Sequence, residues 1–131
     1  MKFSARIQNS AGDHQVSLKV GEKEQSLPIT AKATGGSSVS GGELLFLALA
    51  TCYCNDLYRE ALKLNLKVRS VEVEVEGDFA AEGKPASDIV YRAKVDAEAS
   101  EEKIRELMLH TDKVAEIQNT LRLGIPVTLE I

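Results

Sequence analysis

Tryptophan is absent, aromatic residues make up 5% of the chain, and cysteines number two. With so few rings, a core has to be built mainly from Val, Leu, Ile and Ala. The cysteines, Cys52 and Cys54, stand two positions apart. On a helix such neighbours point to different faces, so a direct bridge would require that turn to unwind. No intrachain structural disulfide is expected, which suits a reducing compartment. His14 and His110 are the only histidines, and neither has a second ligand close by at metal spacing. No zinc site is expected. Positive charge is sparse and scattered: 16 Lys and Arg against 20 Asp and Glu, a net charge of −4. A groove that tracks phosphates needs a basic stripe, so nucleic-acid binding is not expected.

Long hydrophobic runs are also missing. The longest covers residues 44–50 and continues through Thr51 to Cys54, far short of the ~20 residues of a membrane span. The first residues, Met1-Lys2-Phe3-Ser4-Ala5-Arg6, form no apolar signal region, and a cytoplasmic protein is expected. Hydrophobic residues at 44% and charged residues at 27% match an ordinary globular chain. At 131 residues there is material for one core and little for a second. The expectation is a single α+β domain over residues 1–131.

Three short strands open the chain. Residues 2–8 and 15–20 alternate, residues 25–29 read as a third strand, and Asn9 to Asp13 and Gly21-Glu22-Lys23 supply turns. Residues 30–42 hold Gly35-Gly36-Ser37-Ser38 and Ser40-Gly41-Gly42, which predicts a flexible loop. No Lys-Ser or Lys-Thr closes that stretch, so the phosphate-loop pattern fails. A helix is expected over residues 43–64, with Glu43 in its first turn, where a carboxylate favours the dipole. From Leu44 to Cys54 it is apolar on nearly every side, so it needs cover on every side. Leu57, Ala61 and Leu64 continue an ordinary apolar stripe.

Residues 68–76 alternate Val71, Val73 and Val75 against Glu72, Glu74 and Glu76, the pattern of a half-buried antiparallel strand. Residues 77–87 read as a connection and residues 89–97 as the returning strand. Ser100 is an N-cap candidate with Glu101 and Glu102 behind it. Ile104, Leu107 and Met108 give that helix its inner face, and Thr111-Asp112 suggests a fresh cap and a kink. Gly124 should end the second piece, and residues 125–131 read as a closing strand. The expected order is βββ-α-ββ-α(α)-β.

Few residues of the chain are candidates for chemistry. Composition alone makes Cys52 a buried packing residue, because apolar walls keep a thiol protonated. Ser37, Ser38 and Ser40 lack any elbow motif for a serine nucleophile.

The run Gly41-Gly42-Glu43-Leu44-Leu45-Phe46-Leu47-Ala48-Leu49-Ala50-Thr51-Cys52 resembles the signature of the OsmC/Ohr family of osmotically inducible and organic-hydroperoxide-resistance proteins. The resemblance extends to the early meander, the 68–76 strand and Gly124-Ile125-Pro126-Val127. It implies an OsmC-like fold, with antiparallel sheets around a central apolar helix, in an intertwined homodimer. It makes Cys52 the peroxidatic cysteine and Glu43 the carboxylate supporting it. The implied reaction is attack of the Cys52 thiolate on an organic hydroperoxide, leaving a sulfenic acid, with no cofactor and no metal. Nine residues of straight helix separate Glu43 and Cys52 by ~13 Å, so contact requires a bend or a partner's carboxylate.

The chain also departs from the pattern. Ala115 stands where the family carries its second cysteine, and the early arginine has no clear counterpart, Arg6 lying before the first turn. Arg122 matches a late family arginine. Cys54 points the wrong way to serve as a resolving thiol, so an external thiol is expected to reduce Cys52. The competing expectation is a non-catalytic dimeric ligand-binding or stress module of the same fold, with an inert Cys52.

Overall fold

The computed structural model describes all of residues 1–131. The chain divides into two compact units, Met1–Leu44 and Leu45–Ile131.

The first unit is an antiparallel meander of β1 (Phe3–Ser10), β2 (Asp13–Val20) and β3 (Lys23–Ser26), in that spatial order. Its turns are tighter than the sequence suggested. Ser10 pairs with Asp13 and Val20 with Lys23, leaving two-residue loops at Ala11-Gly12 and Gly21-Glu22. Gly12 (φ 78°) and Gly21 (φ 57°) take the left-handed backbone such loops need. The third strand therefore begins earlier than expected and ends before Pro28, which has no N–H to donate. The following glycine-rich loop is irregular, as its composition predicts, but it is tied down rather than free. Asn9 grips Gly36 from both sides, accepting from its N–H at 2.8 Å and donating to its carbonyl at 3.1 Å. Gly12 N–H also donates to the Lys32 carbonyl at 3.1 Å.

Helix α1 (Gly41–Lys63) starts with a reciprocal cap. Ser40 Oγ accepts from the Glu43 N–H at 3.1 Å, and Glu43 Oε2 accepts from the Ser40 N–H at 2.7 Å. This Ser-x-x-Glu box satisfies donors that a helix start leaves open. At the other end Asn65 (φ 55°) takes the left-handed conformation, with Leu66 N–H donating to Ala61 O and Asn65 N–H to Leu62 O. That pair of bonds is the Schellman arrangement.

In the second unit, β4 (Val68–Asp78) and β5 (Ser87–Ala97) form an antiparallel hairpin. Its register sets Val71 against Val95, Val73 against Ala93 and Val75 against Tyr91. This apolar face packs on Tyr53, Leu57 and Ala61 of α1 and on Leu107. Spacing of four places the three α1 residues on one helix face. Leu57 and Leu107 are fully buried, each contributing roughly 1.5–3 kcal/mol of transfer free energy. Tyr53 keeps its hydroxyl bonded to the Met108 carbonyl at 2.9 Å and meets Tyr91 edge-on at 5.0 Å. At the register shift between Glu76 and Asp78, Gly77 leaves room for the Phe46 ring.

Helices α2 (Glu101–Val114) and α3 (Glu116–Leu123) follow. Ser100 caps α2, its Oγ accepting from Lys103 N–H at 3.2 Å. The break lies at Ala115, not at Thr111-Asp112. Thr111 is fully buried and its hydroxyl donates back to the Leu107 carbonyl at 2.7 Å, inside a continuing helix. Gly124 ends α3 at φ 62°, as its position predicts.

One expectation needs correction. Residues 125–131 form no strand, and all of them are exposed, Val127 at 99% and Leu129 at 83%. Alternation marks a segment ready to pair, but a strand exists only where an edge accepts it. The apolar stretch of α1 is partly covered by the rest of its own chain. Leu49 and Tyr53 are buried while Leu47 is 57% exposed. No helix is long and apolar enough to cross a membrane.

Candidate active site

Cys52 occupies the middle of α1 and is half-buried. One turn on, Asp56 lies on the same helix face, and the thiol donates to its Oδ2 at 3.4 Å. From the start of α3, Glu116 Oε2 approaches the sulfur at 3.8 Å. Arg59 spans the two carboxylates, reaching Asp56 Oδ1 and Glu116 Oε1 at 3.0 Å each. Its Nε donates to Glu60 at 2.8 Å. Glu60 in turn meets Lys63 at 2.9 Å and His110 Nε2 at 2.8 Å. The thiol therefore heads a chain of alternating acid and base that runs along one flank of α1.

Electrostatics at the sulfur follow from these neighbours. Burial pushes the Cys52 thiol upward, and the bond to Asp56 and the charges of Asp56 and Glu116 push the same way, against the Ile117 backbone N–H. Ala115 offers no side-chain cap to α3, which leaves that N–H free to face the sulfur. Burial also raises Asp56, and its contact with Glu116 adds to the effect while Arg59 opposes it. Glu116 is lowered by its bond with Asp56, with the α3 backbone and Arg59 helping. Cys52 thus rests as a thiol that already has a proton acceptor in contact.

The other expected site residues go elsewhere. Glu43 is engaged with Ser40 in the cap, whose N–H bond lowers its carboxyl. Cys54 is half-buried and lines a cleft of about 270 Å³ with Ala50, Thr51, Asn55, Val71 and Val73. Arg122 donates to Asp112 at 2.7 Å and to Asn119 at 3.0 Å, and Asp112 also accepts from the Tyr91 hydroxyl. With Leu49, Tyr91 and Gln118 it borders a cavity of about 230 Å³. Cys52 Sγ and the Asp56 and Glu116 oxygens lie within 4.8 Å of one another, a spacing a small cation can use. Both carboxylates already share the Arg59 charge, however.

Sequence reading missed Asp56, Arg59 and Glu116. Asp56 was within reach, being four residues after Cys52 on one helix and so on its face. Glu116 lies 64 positions away, and no local pattern announces such a contact.

The fold is α+β, with antiparallel strands and a long helix that carries the half-buried Cys52 thiol. The chain belongs to the OsmC-like protein family, whose model matches residues 34–130. Solved structures agree on the fold. An OsmC-like protein from Mycoplasma pneumoniae superposes with a TM-score of 0.64 at 16% identity, over 91% of this chain and 87% of that one. The organic hydroperoxide resistance protein OhrB of Bacillus subtilis gives 0.55 at 17%, over 99% and 97%. An OsmC-like hydroperoxide resistance protein from Jannaschia sp. gives 0.55 at 17%, over 97% and 88%. No curated protein matches by sequence.

Proposed function

We propose that the chain is a one-cysteine thiol peroxidase that reduces organic hydroperoxides through Cys52, with an external thiol as electron donor. The observation that carries this reading is the contact of a half-buried Cys52 with a proton acceptor at 3.4 Å, in a chain of this family. Names of solved relatives that specify hydroperoxide resistance support it. Attack of sulfur on the terminal peroxide oxygen forms the S–O bond and breaks O–O, giving Cys52 sulfenic acid and an alcohol. Ala115 is fully buried and carries no thiol, so a small thiol has to complete the cycle by displacing water and then being displaced itself.

A homodimer is part of the proposal. Leu47, Leu62, Val127 and Leu129 are between 57% and 99% exposed, apolar side chains of the kind an interface covers. The family match runs across residue 44, which supports treating residues 1–131 as one functional domain; a place in the cytoplasm is part of the same proposal. Glu43 enters by family position alone, since its observed partner is Ser40. Arg122 is assigned to fixing Asp112, and Cys54 to no redox step.

The second reading, a non-catalytic binding module, draws on the two carboxylates that hold the thiol protonated. Turnover of cumene hydroperoxide with a dithiol separates the two. Consumption that disappears in Cys52→Ser supports the peroxidase, and a folded, dimeric wild type that consumes none supports the module.

A further inference from the structure

The peroxidase reading leaves two protons without a carrier. The thiol must lose one before it attacks, and the departing alkoxide must gain one. Asp56 sits where a single group handles both. Its Oδ2 accepts from the Cys52 thiol at 3.4 Å, its other oxygen is held by Arg59 at 3.0 Å, and the residue is 6% exposed. An acceptor held at one oxygen by Arg59 and touching the thiol through the other, with Glu116 beside it, is oriented toward the sulfur, which makes Arg59 a positioning residue.

From this geometry we propose that Asp56 is the catalytic proton relay of the site, taking the thiol proton and returning it to the leaving oxygen. In the first half, Cys52–SH and the Asp56 carboxylate become thiolate and carboxylic acid. In the second, the thiolate attacks the terminal oxygen of R–O–O–H. The S–O bond forms, the O–O bond breaks, and the RO⁻ fragment takes the proton from Asp56 to leave as ROH. Sulfur is oxidised by two electrons, the peroxide is reduced by two, and Asp56 ends as it began. No preformed thiolate is needed, which fits a sulfur with the Asp56 and Glu116 carboxylates beside it. The charged groups around Asp56 are Arg59 on its own helix and Glu116 from α3, with Glu60 behind Arg59 and His110 of α2 on Glu60.

This inference rests on the peroxidase reading, and the test separates the two. Full-length wild type, Asp56→Asn and Asp56→Glu are compared in two assays from mildly acidic to alkaline pH. One follows cumene hydroperoxide consumption with dithiothreitol, and the other iodoacetamide alkylation of Cys52, read by peptide mass spectrometry. General acid–base groups contribute roughly 10²–10⁴-fold, so Asp56→Asn should lose about 100-fold of the peroxide rate at neutral pH. That loss should shrink as pH rises and free thiolate forms. Alkylation should be as fast as in wild type or faster, because a negative neighbour has gone. A merely structural role would depress both rates together. Asp56→Glu keeps a carboxyl and should keep the wild-type pH profile, deciding the matter if the Asn variant fails to fold. An Asn variant that retains peroxide turnover, or a folded Glu variant whose rate climbs with pH as the Asn variant's should, overturns the relay alone. Wild type that alkylates at Cys52 but consumes no hydroperoxide overturns the peroxidase reading, and the relay with it.

Discussion

Replacing Glu116 by Gln removes one of the two negative charges beside Cys52 while leaving Asp56 and Arg59 in place. The separation is 3.8 Å, and the Glu116 side chain is 62% exposed, so the screening of water applies. At that distance and dielectric the repulsion between carboxylate and thiolate is about 1 kcal/mol. This equals roughly a sixfold larger thiolate fraction near neutrality. A less basic thiolate is also less nucleophilic, by about twofold with a Brønsted slope of ~0.4–0.5. The net expectation is an iodoacetamide reaction at Cys52 about threefold faster than in wild type. Measured at low ionic strength on native protein, the difference should narrow as salt is added. A rate equal to or below that of wild type, in a variant with an unchanged melting transition, would refute the electrostatic account of this thiol.

Other outcomes test the frame around the site. Leu57→Ala empties a fully buried position and should cost about 2–5 kcal/mol in a urea titration. Gly77→Ala places a methyl 2.8 Å from Phe46 Cζ and 3.2 Å from the Ser87 carbonyl, and should destabilise the chain by about 1–3 kcal/mol in the same assay. Arg59, Lys63 and His110, in that order, hold the Glu60 carboxyl down to about 2. A folded value below the unfolded one gives stability that is present above the unfolded value and lost as pH falls toward about 2. In thermal melts across acidic pH, Glu60→Gln should show a shallower loss than wild type through that window.

Where a feature depends on local chemistry, the sequence reveals it well. Val71, Val73 and Val75 announce their strand face, Ser100 its cap and Gly124 the stop of α3. Cys52 emerged from the apolar run that precedes it and from the family signature around it. The errors share a cause. Thr111 looks like a cap until its hydroxyl is seen bonding back to Leu107, and residues 125–131 look like a strand although no strand accepts them. Both depend on what lies opposite the segment, which periodicity does not encode. Glu43 shows the complementary problem. Its family position suggests a role near the sulfur, while its bonds to Ser40 are those of a Ser-x-x-Glu box legible in the sequence. The carboxylate partners of Cys52 divide in the same way: Asp56 follows from helix periodicity, whereas Glu116 depends on where α3 comes to rest.

The claim at the centre of this account is that the Cys52 sulfur takes the peroxide oxygen. The most direct measurement exposes the reduced protein to one equivalent of cumene hydroperoxide, traps sulfenic acid with dimedone and locates the adduct by fragment mass spectrometry. The account predicts an adduct on Cys52 that persists in Cys54→Ser and is lost in Cys52→Ser. A folded protein that carries no adduct at Cys52, or carries it at Cys54 alone, would contradict it.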